Sequence, residues 1–162
     1  MKQTPQEKHV YENFLPGKIT KDGFLGNDTR HIHDIVEEDV HTLTRLGVTQ
    51  EQIADRLQFF IEEGKQGLET PVTVGDFVSQ VIWRRGMLPS PFGDPKRLYH
   101  KIVATVKNTK LDKELAYTQL NVHMIRDHGF FEGHGSVFRL DPEKVVAFLD
   151  IQPEIPENVE ED

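Results

Sequence analysis

Residues 115–151 read LAYTQLNVHMIRDHGFFEGHGSVFRLDPEKVVAFLDI, and this stretch decides the fold class. Residues 114–120 alternate as a strand does, with Leu115 and Tyr117 on one face and Ala116 and Thr118 on the other. Val122, Met124 and Ile125 then follow helical spacing over residues 121–128, and Gly129 is the stop signal. Phe130 and Phe131 introduce a loop, Glu132-Gly133-His134-Gly135-Ser136. Three glycines within residues 129–135 point to backbone held in conformations that other residues avoid. Asp141-Pro142 reads as an N-cap followed by the first helical residue, and Val145, Val146, Phe148 and Leu149 give the closing helix (residues 142–149) its apolar face. A strand, two short helices and a shaped loop in so short a space predict an α+β domain.

The segment before it supplies the other half of that domain. Ile32, Ile35, Val36, Val40, Leu43 and Leu46 form a stripe at helical spacing over residues 30–46, with Asp28 or Thr29 as the expected cap and Gly47 as the stop. Thr49 with Gln52 forms a capping box for a second helix to about residue 63, which buries Ile53, Leu57, Phe60 and Ile61. Only Gly47, Val48 and Thr49 separate the two helices, so they form a tight hairpin. Residues 72–83 are rich in β-branched and aromatic side chains and read as strand, with Gly75-Asp76 as a two-residue turn. The proline- and glycine-rich residues 84–95 read as a loop. Residues 101–107 alternate and pair with the strand at 114–120. The expectation is a helical hairpin packed on an antiparallel sheet of three to five strands, with two short C-terminal helices.

Around this single domain of residues 24–151, residues 1–23 read as an extended arm whose Val10, Tyr11, Phe14 and Leu15 need cover. A second copy of the chain could supply it, giving a homodimer; the core of the same chain is the plainer source. Residues 152–162, acidic and broken by Pro153 and Pro156, read as a disordered tail.

Composition narrows the function classes. The chain has 162 residues, no cysteine and a formal charge of −8. Disulfides and thiolate metal sites are excluded, and a reducing cytoplasm is the expected location. No apolar run is long enough to span a membrane. The charge is uneven. Residues 84–110 carry seven basic groups and one acidic group, whereas residues 31–70 carry three basic and nine acidic. A globally acidic chain is repelled by nucleic acid, yet the basic segment can hold a small anion. LGVTQEQIADRL, residues 46–57, resembles the opening half of a helix-turn-helix DNA reader. The resemblance covers a dozen residues and implies a basic recognition helix next. The residues that follow, QFFIEEGKQG, contain none, so no nucleic-acid partner is expected.

Three clusters carry chemistry. His123, Asp127 and His134 are candidate ligands for zinc, manganese or iron. His123 and Asp127 lie one helical turn apart, and His134 could fold back from the glycine loop. His128, about 140° round the helix from His123, does not share that face. His33, Glu37 and His41 form a row at i, i+4, i+8, with His31 and Glu38 beside it. The row faces away from the apolar stripe and reads as solvated surface. Arg84, Arg85 and Arg97, with His128 and His134, are the candidate binders of an anionic ligand, because a guanidinium pairs with carboxylate or phosphate through two parallel bonds. No Walker loop, nucleophile elbow or dinucleotide fingerprint appears. The expected function is therefore non-enzymatic: a binding or accessory protein with a small anion- or partner-binding pocket near residues 128–136. The alternative is a small enzyme dependent on a divalent metal held by residues 123–134.

Overall fold

The computed structural model describes residues 10–93 and 97–154. Helix α1 spans Ile32–Leu46 and helix α2 spans Gln50–Lys65. Gly47 ends α1 in the left-handed region at φ 76°, and Thr49 opens α2 with the reciprocal Thr49–Gln52 capping box. The cap of α1 is not Asp28 or Thr29 but His31, whose ring accepts from the backbone N–H of His33. Asp28 is drawn elsewhere because the Arg30 guanidinium grips its carboxylate through Nε at 2.9 Å and Nη2 at 2.7 Å. This pairing holds the Asp28 carboxyl well below the usual carboxylate range.

Four strands follow: β1 (Val72–Val74), β2 (Phe77–Pro89), β3 (Leu98–Asn108) and β4 (Lys113–Thr118), in the antiparallel order β1-β2-β3-β4. The turn between β1 and β2 is Gly75-Asp76. The sequence reading ended the second strand at Trp83 and made residues 84–95 a loop; the strand instead runs on to Pro89. Pairing breaks after Arg84↔Lys101 and resumes at Met87↔His100, so Arg85 and Gly86 form a bulge. Gly86, at φ 94°, supplies the conformation that the bulge needs. Pro89 occupies the last position of the strand, where a missing N–H costs least. Thr118 then caps helix α3 (Gln119–His128), and Asp141 with Pro142 opens helix α4 (Pro142–Leu149).

Every strand residue directly opposite another shares its face. One face of the sheet, with Phe77, Val81, Ala104, Val106 and Tyr117, packs on Ile53, Ala54, Leu57, Phe60 and Ile61 of α2. Gly64 lets α2 approach closely, since a Cβ there would stand 2.5 Å from Val81 Cγ2. Polar atoms in this core are satisfied: Tyr117 Oη donates to Leu57 O at 2.7 Å, and Ser79 Oγ donates to Phe60 O at 2.8 Å.

A second cluster joins Phe14, Phe24, Leu25, Ile35, Leu120, Met124 and Phe130. Val10, Tyr11 and Leu15 pack against it, so the apolar side chains of the N-terminal segment find their cover within their own chain. Residues 151–154 run beside Gly47, whose carbonyl accepts from Glu154 N–H at 2.8 Å; residues 155–162 of the expected tail lie outside the described residues. Among the described residues, no helix is long and apolar enough to cross a membrane.

Candidate functional site

Two loops meet backbone to backbone. Gly133 N–H donates to Phe24 O at 2.9 Å, and Asn27 N–H donates to His134 O at 3.0 Å. Glycine is required on both sides. A Cβ on Gly133 would lie 2.3 Å from Leu25 O, and one on Gly26 would lie 2.2 Å from Ser136 N. Two loops that neither helix nor sheet would bring together are thus locked in contact.

The lock aims Glu132 inward. Glu132 has φ 71°, a left-handed value that a non-glycine residue adopts at a cost of about 1 kcal/mol or more. The residue is 3% exposed. Oε2 accepts from Asn121 Nδ2 at 2.7 Å, and Oε1 accepts from Ser136 Oγ at 2.5 Å. Burial pushes this carboxyl up to about 7, against the opposing pull of the Ser136 and Asn121 hydrogen bonds and of Arg139. Arg139 donates to the backbone carbonyl of Glu132 at 2.8 Å and grips Asp39 of α1 through two bonds, at 2.5 and 3.0 Å. The loop is therefore fastened to α1 as well as to residues 24–27.

Glu132 and Ser136 line a cavity of about 480 Å³. Its walls are apolar: Phe24, Leu88, Leu120, Val137 and Phe138. Arg84, His100 and Lys101 line it from β2 and β3, and Lys21 and Asp22 from the N-terminal segment. Arg84 stands directly opposite Lys101 across the strand pair. Like charges in that position repel. Among the described residues, neither cation has an ion-pair partner.

The chain matches no family model, no curated protein and no solved structure. The reading of the site therefore rests on its geometry.

Of the side chains singled out from the sequence, Arg84 lines the cavity. Arg85 is exposed on the bulge, and Arg97 is exposed just before β3. His128 lies apart from the cavity, its ring stacked on Phe92 at 3.9 Å and 5°. His134 is exposed, with Nε2 3.8 Å from Glu38 Oε1 and its N–H on Asp28. The glycine loop and the basic strand do converge, but through Glu132 and Ser136 rather than the two histidines.

The metal reading fares differently. His123 and Asp127 do meet, with Nδ1 3.0 Å from Asp127 Oδ2, and Tyr99 Oη lies 2.8 Å from the same nitrogen. The His123 ring also stacks on that of Tyr99 at 4.4 Å. His134 is engaged with Glu38 and Asp28 instead. Among the described residues, no three histidine, aspartate or glutamate side chains are placed to hold a metal ion together. The row His33, Glu37 and His41 is exposed, as its spacing implied.

Asn121 was not singled out from the sequence; Lys101 belongs to the basic segment read as able to hold an anion, and Ser136 to the glycine loop. The alternation of β3 puts Lys101 on the face of Val103 and opposite Arg84 once the bulge is placed.

Proposed function

We propose that this chain is a binding protein that holds a small anionic molecule in the cavity behind residues 132–138. The observation that carries the reading is the pair Arg84 and Lys101, two cations directly opposite each other across the strand pair at the cavity, neither with an ion-pair partner among the described residues. An anion bound there relieves the repulsion and gains charge-assisted hydrogen bonds, while its apolar body replaces water against Phe24, Leu88 and Leu120. A cavity of about 480 Å³ suits a small molecule rather than a polymer. The formal charge of −8 argues against nucleic acid as the partner, and the lack of cysteine suits a reducing cytoplasm. The homodimer expected from the N-terminal segment is not part of this reading, because Phe14 and its neighbours are covered within one chain.

Fluorescence titration with 8-anilinonaphthalene-1-sulfonate, an anion with an apolar body, tests the proposal. The full chain should bind it saturably, and R84A/K101A should bind roughly tenfold or more weakly, a loss of about 1.4 kcal/mol or more. R85A, which alters an exposed arginine outside the cavity, should bind as the unaltered chain does. Equal affinity in the double variant and the unaltered chain overturns the proposal.

A further inference from the structure

We infer that the ligand of this cavity is zwitterionic: an anionic group held by Arg84 and Lys101, an apolar body, and an ammonium held by Glu132. The inference rests on the anion-binding reading above and adds the second end of the molecule.

Opposite charges line one cavity without meeting. Glu132 makes no ion pair with Arg84 or Lys101, although all three border the same space. The cation nearest in effect to Glu132 is Arg139, which is spent on Asp39 and on the backbone carbonyl of Glu132. The neighbours of the carboxyl are thus Asn121 from α3, Ser136 and Arg139 from the loop, and Asp39 behind Arg139 from α1. Asn121 and Ser136 use one acceptor site on each oxygen. A carboxylate has about four such sites, so room remains for a ligand donor.

The backbone makes the same point. The loop has glycines at 129, 133 and 135, yet its left-handed position at 132 holds glutamate. A loop built only for close packing would place glycine there; the strain is tolerated for the sake of the side chain. Phe24, Leu88 and Leu120 line the same cavity as Glu132, Arg84 and Lys101, and suit methylene or ring carbon. An ammonium at Glu132 also answers the cost of a buried carboxyl: it favours the ionised form and expels the proton that burial retains.

Isothermal titration of the full chain with 6-aminohexanoate, hexanoate and hexylamine at pH 6.5 tests this. Two buffers of different ionisation enthalpy would count protons. The two-ended probe should bind at least about tenfold tighter than either one-ended probe, and it should release protons where hexanoate does not. E132Q should abolish the preference over hexanoate, and R84A/K101A the preference over hexylamine. Equal binding of hexanoate and 6-aminohexanoate to the unaltered chain overturns this inference and leaves the anion site standing. Binding of hexanoate or 6-aminohexanoate that is indifferent to Arg84 and Lys101, or no binding of either, overturns both. The comparison of probes on the unaltered chain needs no variant to fold.

Discussion

At the scale of single residues, Glu132 concentrates what is unusual in this chain: burial, a left-handed backbone and a carboxyl pushed up to about 7. Its ordinary value is 4.5, so between these values the folded state holds a proton that the unfolded chain has released. Stability from this group is therefore full below about pH 4.5 and is lost as pH rises through about 7. At 1.36 kcal/mol per unit, the loss is on the order of 3 kcal/mol. E132Q keeps the shape and cannot ionise. Urea midpoints at pH 5 and pH 8 should fall for the unaltered chain and fall much less for E132Q. Equal falls would show that Glu132 does not titrate in this window. Asp28 does not interfere, because its carboxyl is shifted in the other direction and titrates only in strong acid. Little of this was legible in the sequence. The glycines around Glu132 announced a shaped loop, but nothing local named Phe24–Asn27 as the backbone it would meet.

Elements were the legible scale where periodicity carried the information. Both helices of the hairpin, the Gly75-Asp76 turn and the α3–loop–α4 order follow from local signals of capping and spacing. Two features were hidden because they contradict local preference. Gly86 and Pro89 look like breakers, yet one makes a bulge and the other ends a strand. Asp39 looks like solvent-facing charge, yet it sits between Ile35 and Leu43 in the buried row of α1, where Arg139 neutralises it from 100 residues away in sequence. The hairpin should still dominate stability. Leu57 has no exposed surface and is enclosed by both helix and sheet residues, so Leu57→Ala should cost roughly 2–5 kcal/mol. His41 is exposed on the outer face of α1, so His41→Ala should stay within about 0.5 kcal/mol. Urea melts of the two variants should differ accordingly; comparable losses would mean that α1 is rotated from its described phase.

On the scale of the whole molecule, the N-terminal segment decides whether the chain needs a second copy. Composition alone left two sources of cover for its apolar residues, and no local pattern distinguishes them, because a contact across about a hundred residues has no periodicity to read. Phe14 meets Phe130 edge to face at 5.2 Å and Phe92 at 4.8 Å, and Phe24 N–H donates to Phe14 O at 2.9 Å. The segment then continues through Ile19–Phe24 as one wall of the cavity. Its role is thus internal: it seals the second core cluster and shapes the site. Phe14→Ala removes a ring with no exposed surface and should cost about 3–5 kcal/mol, the usual range for a buried phenylalanine. The loss should appear as a lower urea midpoint. The mass measured by light scattering should be the same for the variant and the unaltered chain, because the Phe14 ring is covered within one chain. Anionic-probe binding should weaken at urea concentrations well below the midpoint as the wall loosens. A variant that halves the measured mass while keeping its midpoint would show instead that Phe14 works between copies of the chain.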